Sequence, residues 1–336
     1  MNHFCTLFDS GYLTRGLALY DSLERTGEPF RLYIFCFDDL SLELLRKLAL
    51  KNAVLIPLSD FETPELLKIK PGRSRGEYCW TSASHTIRHV LDKFKVAEVT
   101  YLDSDVYFFQ RPSALLDEFH QSGDSVLITE HRYAPEYDQS ATSGRYCVQF
   151  MTFKNAARGR EVLDWWCARC VEWCFNRFED GKFGDQKYLD DWPERFRRVH
   201  VLEHVGGGLA PWNVNRYALR ERDGEVMVDD VPLVFYHFHS LRLYRERRLL
   251  RGAAARFALG QISFAWTTGY QPSPAAQKLV WDPYLAALAR ALALIRSVEP
   301  NFAAGFQEPP HPHWQRARGR AGAVYRAGRR VNRPSA

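Results

Sequence analysis

The 336-residue sequence lacks any apolar run long enough to cross a bilayer. Its best stretch, residues 284–298, is interrupted by Arg290 and Arg296, whereas a spanning helix needs about 20 consecutive apolar residues. The opening residues, Met1-Asn2-His3-Phe4-Cys5, offer no basic segment, apolar segment or small-residue cleavage site, and they run directly into a strand pattern. A cytoplasmic protein with reduced thiols is therefore expected. Seven cysteines, an odd number, argue against a complete disulfide framework. Three of them, Cys167, Cys170 and Cys174, lie on one side of a helical pattern. A soft metal is one reading of that spacing. Leu163 and Trp166 share the stripe, however, and free cysteine is among the most buried residue types, so the stripe reads as core.

Acidic residues are missing after Glu308, while arginine occurs at 316, 318, 320, 326, 329, 330 and 333. The formal net charge is +5, so with +7 in the tail the rest of the chain is slightly acidic. Basicity belongs to an appendage that begins with Glu308-Pro309-Pro310-His311-Pro312. Trp314 and Tyr325 among its arginines give it the character of an interfacial anchor for an anionic membrane surface, which would place the protein peripherally on the inner face of the cytoplasmic membrane. A solvated disordered tail is the plainer account. Nucleic acid would also attract it, but no specific nucleic-acid partner is expected.

The remaining composition, 46% hydrophobic and 25% charged, is that of a globular protein. Short apolar runs at 4–8, 32–37, 99–102, 126–129 and 147–153 read as strands, and helical patterns at 15–25, 40–50, 84–94 and 112–121 lie between them. Such alternation predicts an α/β fold with a mostly parallel central sheet covered on both faces by helices. A longer helix is predicted over 158–178, a shorter one over 185–192, and strands over 199–202 and 233–238. Beyond residue 240 the pattern changes to Arg/Ala/Leu-rich helices.

The strongest chemical signal is Tyr101-Leu102-Asp103-Ser104-Asp105-Val106. An apolar strand ends here in two carboxylates spaced i, i+2, at the sheet edge where parallel sheets bind ligands. Two acids so close repel each other unless a cation compensates. Oxygen ligands suit a hard ion such as Mg2+ or Mn2+, which in turn grips a diphosphate. Two solvated aspartates at a strand end would give the same tripeptide.

Further motifs follow in order. Thr6-Leu7-Phe8-Asp9 precedes the first helix, and the second strand ends at Phe37-Asp38-Asp39. Then come Phe183-Gly184-Asp185-Gln186-Lys187-Tyr188-Leu189-Asp190, Leu209-Ala210-Pro211-Trp212-Asn213 and Phe235-Tyr236-His237-Phe238-His239-Ser240. With these, the sequence resembles the GT-A glycosyltransferases, most closely the family 8 enzymes of the lipopolysaccharide galactosyl- and glucosyltransferase type. The resemblance implies a Rossmann-like GT-A domain over residues 1–240, a helical extension over 241–307 and the basic tail over 308–336. It implies Asp103, Asp105 and His237 as metal ligands, with Mn2+ or Mg2+ as the ion and a UDP-sugar as donor. Phe8, Asp9, Ser104, Trp212 and Asn213 fall in motifs that contact the nucleotide-sugar. Asp185 and Gln186 match the segment that approaches the anomeric carbon in retaining members.

His237 and His239 project to one strand face, which strengthens the case for a histidine ligand there. Asp185 also reads as a helix-start acid favoured by the helix dipole. Arg75 adds a cation for phosphate, and Tyr78 or Trp80 an aromatic face for a base or sugar. The long polar and aromatic segment 130–139 is assigned to the acceptor side. The acceptor implied is a glycan or lipid-linked saccharide of a bacterial surface polysaccharide, since family 8 lipooligosaccharide enzymes have tails of similar character.

The chain departs from the family pattern in three places. Lys187 replaces the second acid of D-Q-D, Cys147-Val148-Gln149-Phe150 stands in place of N-x-G, and Ser240 occupies a glycine position. A haloacid-dehalogenase-type phosphatase also places D-x-D at a strand end, but a threonine normally follows, not Val106-Tyr107-Phe108. Asp9-Ser10-Gly11-Tyr12 is too poor in glycine for a sugar nucleotidyltransferase. A catalytically silent carbohydrate- or nucleotide-binding relative is the remaining alternative.

Overall fold

The computed structural model describes residues 1–245 and 255–308; the basic tail beyond Glu308, with its arginines, Trp314 and Tyr325, lies outside the described residues. A seven-stranded sheet runs through the larger part of the molecule. Its strands are β1 (Asn2–Phe8), β2 (Phe30–Cys36), β3 (Ala53–Pro57), β4 (Glu98–Leu102), β6 (Val126–Glu130), β7 (Tyr146–Lys154) and β8 (Val199–Val201), in the order β3-β2-β1-β4-β7-β6-β8. The short β5 (Val106–Phe108) belongs to a separate pair. Only β7 runs against its neighbours; every other pairing in this sheet is parallel. The α/β class and the mostly parallel sheet expected from the alternating pattern are therefore present.

Alternation along the strands distributes the apolar residues to two cores. On one face Cys5, Phe35, Val99 and Phe153 pack with helices Arg75–Phe94 and Ala157–Glu172. On the other, Phe4, Ile34, Leu102 and Phe150 pack with helices Leu13–Arg25, Asp39–Leu48 and Ser113–Ser122. All seven cysteines are free, and Cys167, Cys170 and Cys174 are buried in the first of these cores, as their apolar stripe requires.

Four local expectations need correction. Helix Arg75–Phe94 begins nine residues before the predicted start, because Ser74 and Glu77 form a capping box that satisfies its first N–H groups. Helix Ala157–Glu172 stops short of residue 178: Trp173 is extended (φ −153°, ψ 123°), and Arg73 stacks on Phe175 at 3.8 Å, holding the chain away from the helix axis. The piece over 185–192 is a 3-10 turn, Lys187–Asp191, followed by the single turn Trp192–Arg195, and Asp185 caps neither. Finally, the region after Ser240 is not only helical. Arg242–Tyr244, Ala255–Leu259, Ile262–Thr267 and Phe306–Gln307 form a four-stranded sheet, since runs such as Phe264-Ala265-Trp266 pair across a hairpin.

The long helix Asp282–Val298 packs on helix Leu13–Arg25, and its Leu292 and Ile295 join the second core. After it, the backbone at Gly305 (φ +80°) presses on the turn that follows β1. A Cβ at Gly305 would stand 2.1 Å from the carbonyl oxygen of Gly11, so only glycine fits.

Candidate metal centre and its cleft

Asp103 follows directly on β4, where its N–H donates to the Gln149 carbonyl (3.1 Å) and its own carbonyl accepts from Val106 N–H (3.1 Å). That tight turn feeds β5, which pairs antiparallel with Phe235–His237 in the register Phe235↔Phe108, Tyr236↔Tyr107, His237↔Val106. Two more backbone bonds lock the junction: His237 N–H to Leu209 O (2.8 Å) and Phe238 N–H to Asp105 O (2.9 Å). The pairing brings His237 opposite the acidic turn although it lies more than 130 residues away in sequence.

One ligand atom from each of Asp103, Asp105 and His237 lies within 4.8 Å of the others. His237 Nε2 is 3.1 Å from Asp105 Oδ1 and 3.8 Å from Asp103 Oδ2. The other ring nitrogen, Nδ1, is 2.8 Å from Gln149 Oε1. The Tyr101 hydroxyl donates to Asp103 Oδ1 (3.1 Å). Burial pushes the Asp103 carboxyl up to about 6, with His237 pulling it back and Asp105 adding to the rise. Burial also acts against ionised Asp105 and protonated His237. Their mutual attraction outweighs it, holding Asp105 below the usual carboxylate range and His237 well above an ordinary imidazole. Two carboxylates and an imidazole whose far nitrogen is already engaged form a donor set that fits a divalent cation of the Mg2+ or Mn2+ kind.

These groups form part of the floor of a cleft of about 610 Å³. Of the residues singled out from sequence, Phe8, Asp9, Arg75, Ser104 and Trp212 line it. Arg75 pairs with Asp9 and with Asp38 (3.1 Å to Oδ2). Asp185 and Gln186 line it as well. Asp185 is 5% exposed, and burial, reinforced by Asp103, raises its carboxyl to about 8. Gln186 donates its amide N–H to Ser143 O (2.7 Å). Lys187, at the position of the missing acid, turns back to Asp190 (2.8 Å) and to Ser140 O (2.8 Å).

Two expected contacts are not made. Tyr78 is buried on the sheet side of its helix, with its hydroxyl donating to Glu62 (2.7 Å), and it does not reach the cleft. Residues two apart on a helix point to opposite sides, so Trp80 lines the cleft instead. Asn213 is 1% exposed and serves its own loop: it accepts from Ala210 N–H (2.9 Å) and donates to His131 O (2.7 Å) and Gly208 O (2.9 Å). It shapes the wall without facing the cleft.

The segment 130–139 divides. Glu130 pairs with Arg145 (2.8 Å) outside the cleft, whereas His131, Tyr133 and Gln139 line it. His131 stacks on Tyr133 (4.6 Å between centroids) and meets Trp212 edge-on (5.1 Å), while Tyr270 from the C-terminal region extends this aromatic wall. Tyr270 carried no signal in the sequence, and Gln149 was noted only within the segment that replaces N-x-G. His239, also on the cleft, meets Trp212 edge-on at 5.4 Å between centroids.

No protein-family model matches the chain. Solved glycosyltransferases are among the structures that resemble it. The galactosyltransferase LgtC, crystallised with donor and acceptor sugar analogues, aligns with a TM-score of 0.46 at 15% identity, covering 70% of this chain and 87% of its own. Mouse xyloside xylosyltransferase 1 gives 0.41 at 14%, covering 71% and 97%. Sequence similarity is closer in Bacillus subtilis (strain 168). There the chain is 34% identical over 249 residues to the protein named Uncharacterized protein YfnF, spanning 71% of this chain and 82% of that one. It is 31% identical over 311 residues to Uncharacterized protein YfnD, spanning 90% and 94%. The chain belongs to the family that contains YfnD and YfnF.

Proposed function

We propose that the chain is a metal-dependent glycosyltransferase of the GT-A type, moving a sugar from a nucleotide-sugar donor to a glycan acceptor. The convergence of Asp103, Asp105 and His237 within 4.8 Å carries this reading. They meet just past the carboxyl end of β4, where a parallel sheet receives its ligands, in a cleft large enough for a nucleotide-sugar. A bound divalent cation would supply compensation for the charge on a departing diphosphate.

The protein's own groups have separable tasks in this reading. Phe8, Asp9, Arg75 and Trp80 lie together along the cleft and receive the nucleotide. Ser104 sits between the two acidic ligands and faces the diphosphate. Gln186 spends its amide N–H on Ser143, which leaves the amide oxygen for positive charge developing at the anomeric carbon. Asp185, buried beside it, takes a sugar hydroxyl. His131, Tyr133, Trp212 and Tyr270 offer ring faces to the acceptor sugar.

The finer assignments rest on the motif resemblance: UDP as the nucleotide, Mn2+ or Mg2+ as the ion, retention of configuration, and a lipid-linked bacterial surface glycan as acceptor. So does membrane association through the basic tail. No described helix is long and apolar enough to cross a membrane.

Thermal stabilisation by UDP and by GDP, each with and without Mn2+, tests the proposal on the wild type and Asp105→Asn. Stabilisation that needs both nucleotide and metal, and disappears in the variant, is the expected result. Indifference of the wild type to both nucleotides under every metal condition would overturn it. Metal-dependent hydrolysis of a nucleotide-sugar separates an enzyme from a silent binder.

A further inference from the structure

Gln149 is a fully buried polar side chain in the middle of β7, a position that ordinarily carries an apolar residue. Its surroundings explain its presence. The Thr129 hydroxyl donates to the Cys147 carbonyl (3.2 Å), which uses the only proton that hydroxyl has. Thr129 Oγ1 therefore receives the Gln149 amide N–H (3.4 Å). This fixes the orientation of the amide and leaves its oxygen toward His237, 2.8 Å from Nδ1. Space for the side chain comes from Gly208 (φ +89°): a Cβ there would come within 3.2 Å of Gln149 Nε2.

The consequence follows from the chemistry of imidazole. A histidine that ligates through Nε2 must keep its proton on Nδ1, and that proton needs an acceptor inside the fold. Gln149 Oε1 provides it. Through its backbone carbonyl the same residue accepts the N–H of Asp103 (3.1 Å). One strand residue thus holds the orientation of two of the three candidate ligands.

We propose that Gln149 is the positioning residue of the metal centre, setting the tautomer and aim of His237 through its side chain while anchoring Asp103 through its backbone. This inference rests on the metal-site reading given above, and the experiment separates the two. Mn2+ alone is titrated into wild type, Gln149→Met and Gln149→Glu, with affinity read by calorimetry and free Mn2+ by paramagnetic resonance. Met keeps the length and burial of the side chain but has no competent acceptor; Glu keeps an acceptor oxygen.

Gln149→Met is expected to weaken Mn2+ binding about 10- to 100-fold and, with the buried Nδ1 proton left without its acceptor, to melt below the wild type in the absence of metal while remaining folded by circular dichroism. Gln149→Glu is expected to retain most of the affinity. In the Mg2+-loaded protein, nitrogen-15 shifts of the His237 ring should report the Nδ1–H tautomer in wild type and lose that signature in Gln149→Met. Equal affinities for wild type and Gln149→Met, or equal losses in Met and Glu, would overturn the role of Gln149 while leaving the metal site intact. A wild type that binds no divalent cation would overturn both.

Discussion

His237 Nε2 stands 3.1 Å from Asp105 Oδ1, and strand pairing, not sequence proximity, puts it there. In the proposed enzyme both atoms face one cation, so either loss should be severe. Asp105→Asn and His237→Ala are each expected to lower kcat/KM at least about 100-fold, the scale for removing one electrostatic stabiliser. Sugar transfer assayed at saturating Mn2+ checks this. Combining the two changes should cost little more than either alone, because they serve a single site.

Asp185 makes the metal-free protein sensitive to alkali. Its carboxyl is raised from 3.8 to about 8 in the folded state, so between those values the native chain binds more protons than the unfolded one. Stability therefore falls as pH rises through that window. Asp103, raised to about 6, contributes in the same direction over the lower part of it. The melting temperature without metal should decline from pH 5 toward the folded value of about 8. Asp185→Asn should flatten the decline and melt higher than wild type at the alkaline end, while losing transfer activity. A stabler, inactive variant is the usual outcome when a buried ionisable functional group is removed.

Tyr78 and Trp80 should separate cleanly. Tyr78→Phe deletes the bond to Glu62 and should cost about 1 kcal/mol of stability without changing nucleotide affinity. Trp80→Ala should leave the fold standing and weaken nucleotide binding about tenfold, the worth of one aromatic contact. Urea denaturation and calorimetric titration of the nucleotide with Mn2+ distinguish the two.

Gly305→Ala tests the seam between the C-terminal segment and the turn after β1. The new methyl would need a left-handed backbone and would stand 2.1 Å from Gly11 O. A loss of roughly 2 kcal/mol or more is expected. Nucleotide affinity should fall with it, because Asp9 and Tyr12 of the same turn line the cleft.

Much of this was legible because local chemistry and global fold agreed. The apolar runs announced the sheet, and the acidic pair at the end of β4 marked the edge where Asp103, Asp105 and His237 gather. His237 came from the motif resemblance, with His239 two residues on sharing its strand face as added support. Tyr78 misled: with the helical pattern starting only at residue 84, nothing distinguished it from Trp80. Had the capping box at Ser74 and Glu77 been recognised, helical phase would have separated them. Asn213 misled because a loop asparagine serves its own backbone as readily as a ligand. Gln149 was seen only as part of a departure from the motif, since its bond to His237 spans 88 residues of sequence, and Tyr270 was not found because it follows a strand that read as helix.

The pairing of Val106–Phe108 with Phe235–His237 also has a temporal consequence. A chain emerging from the ribosome carries both aspartates long before the histidine that completes their set. Until residue 237 has been made and has found its place beside Val106, the candidate set lacks its third ligand. In the proposed enzyme the complete ligand set is thus reserved for a chain in which β5 has already met Phe235–His237, so that an intact ion site reports a finished fold.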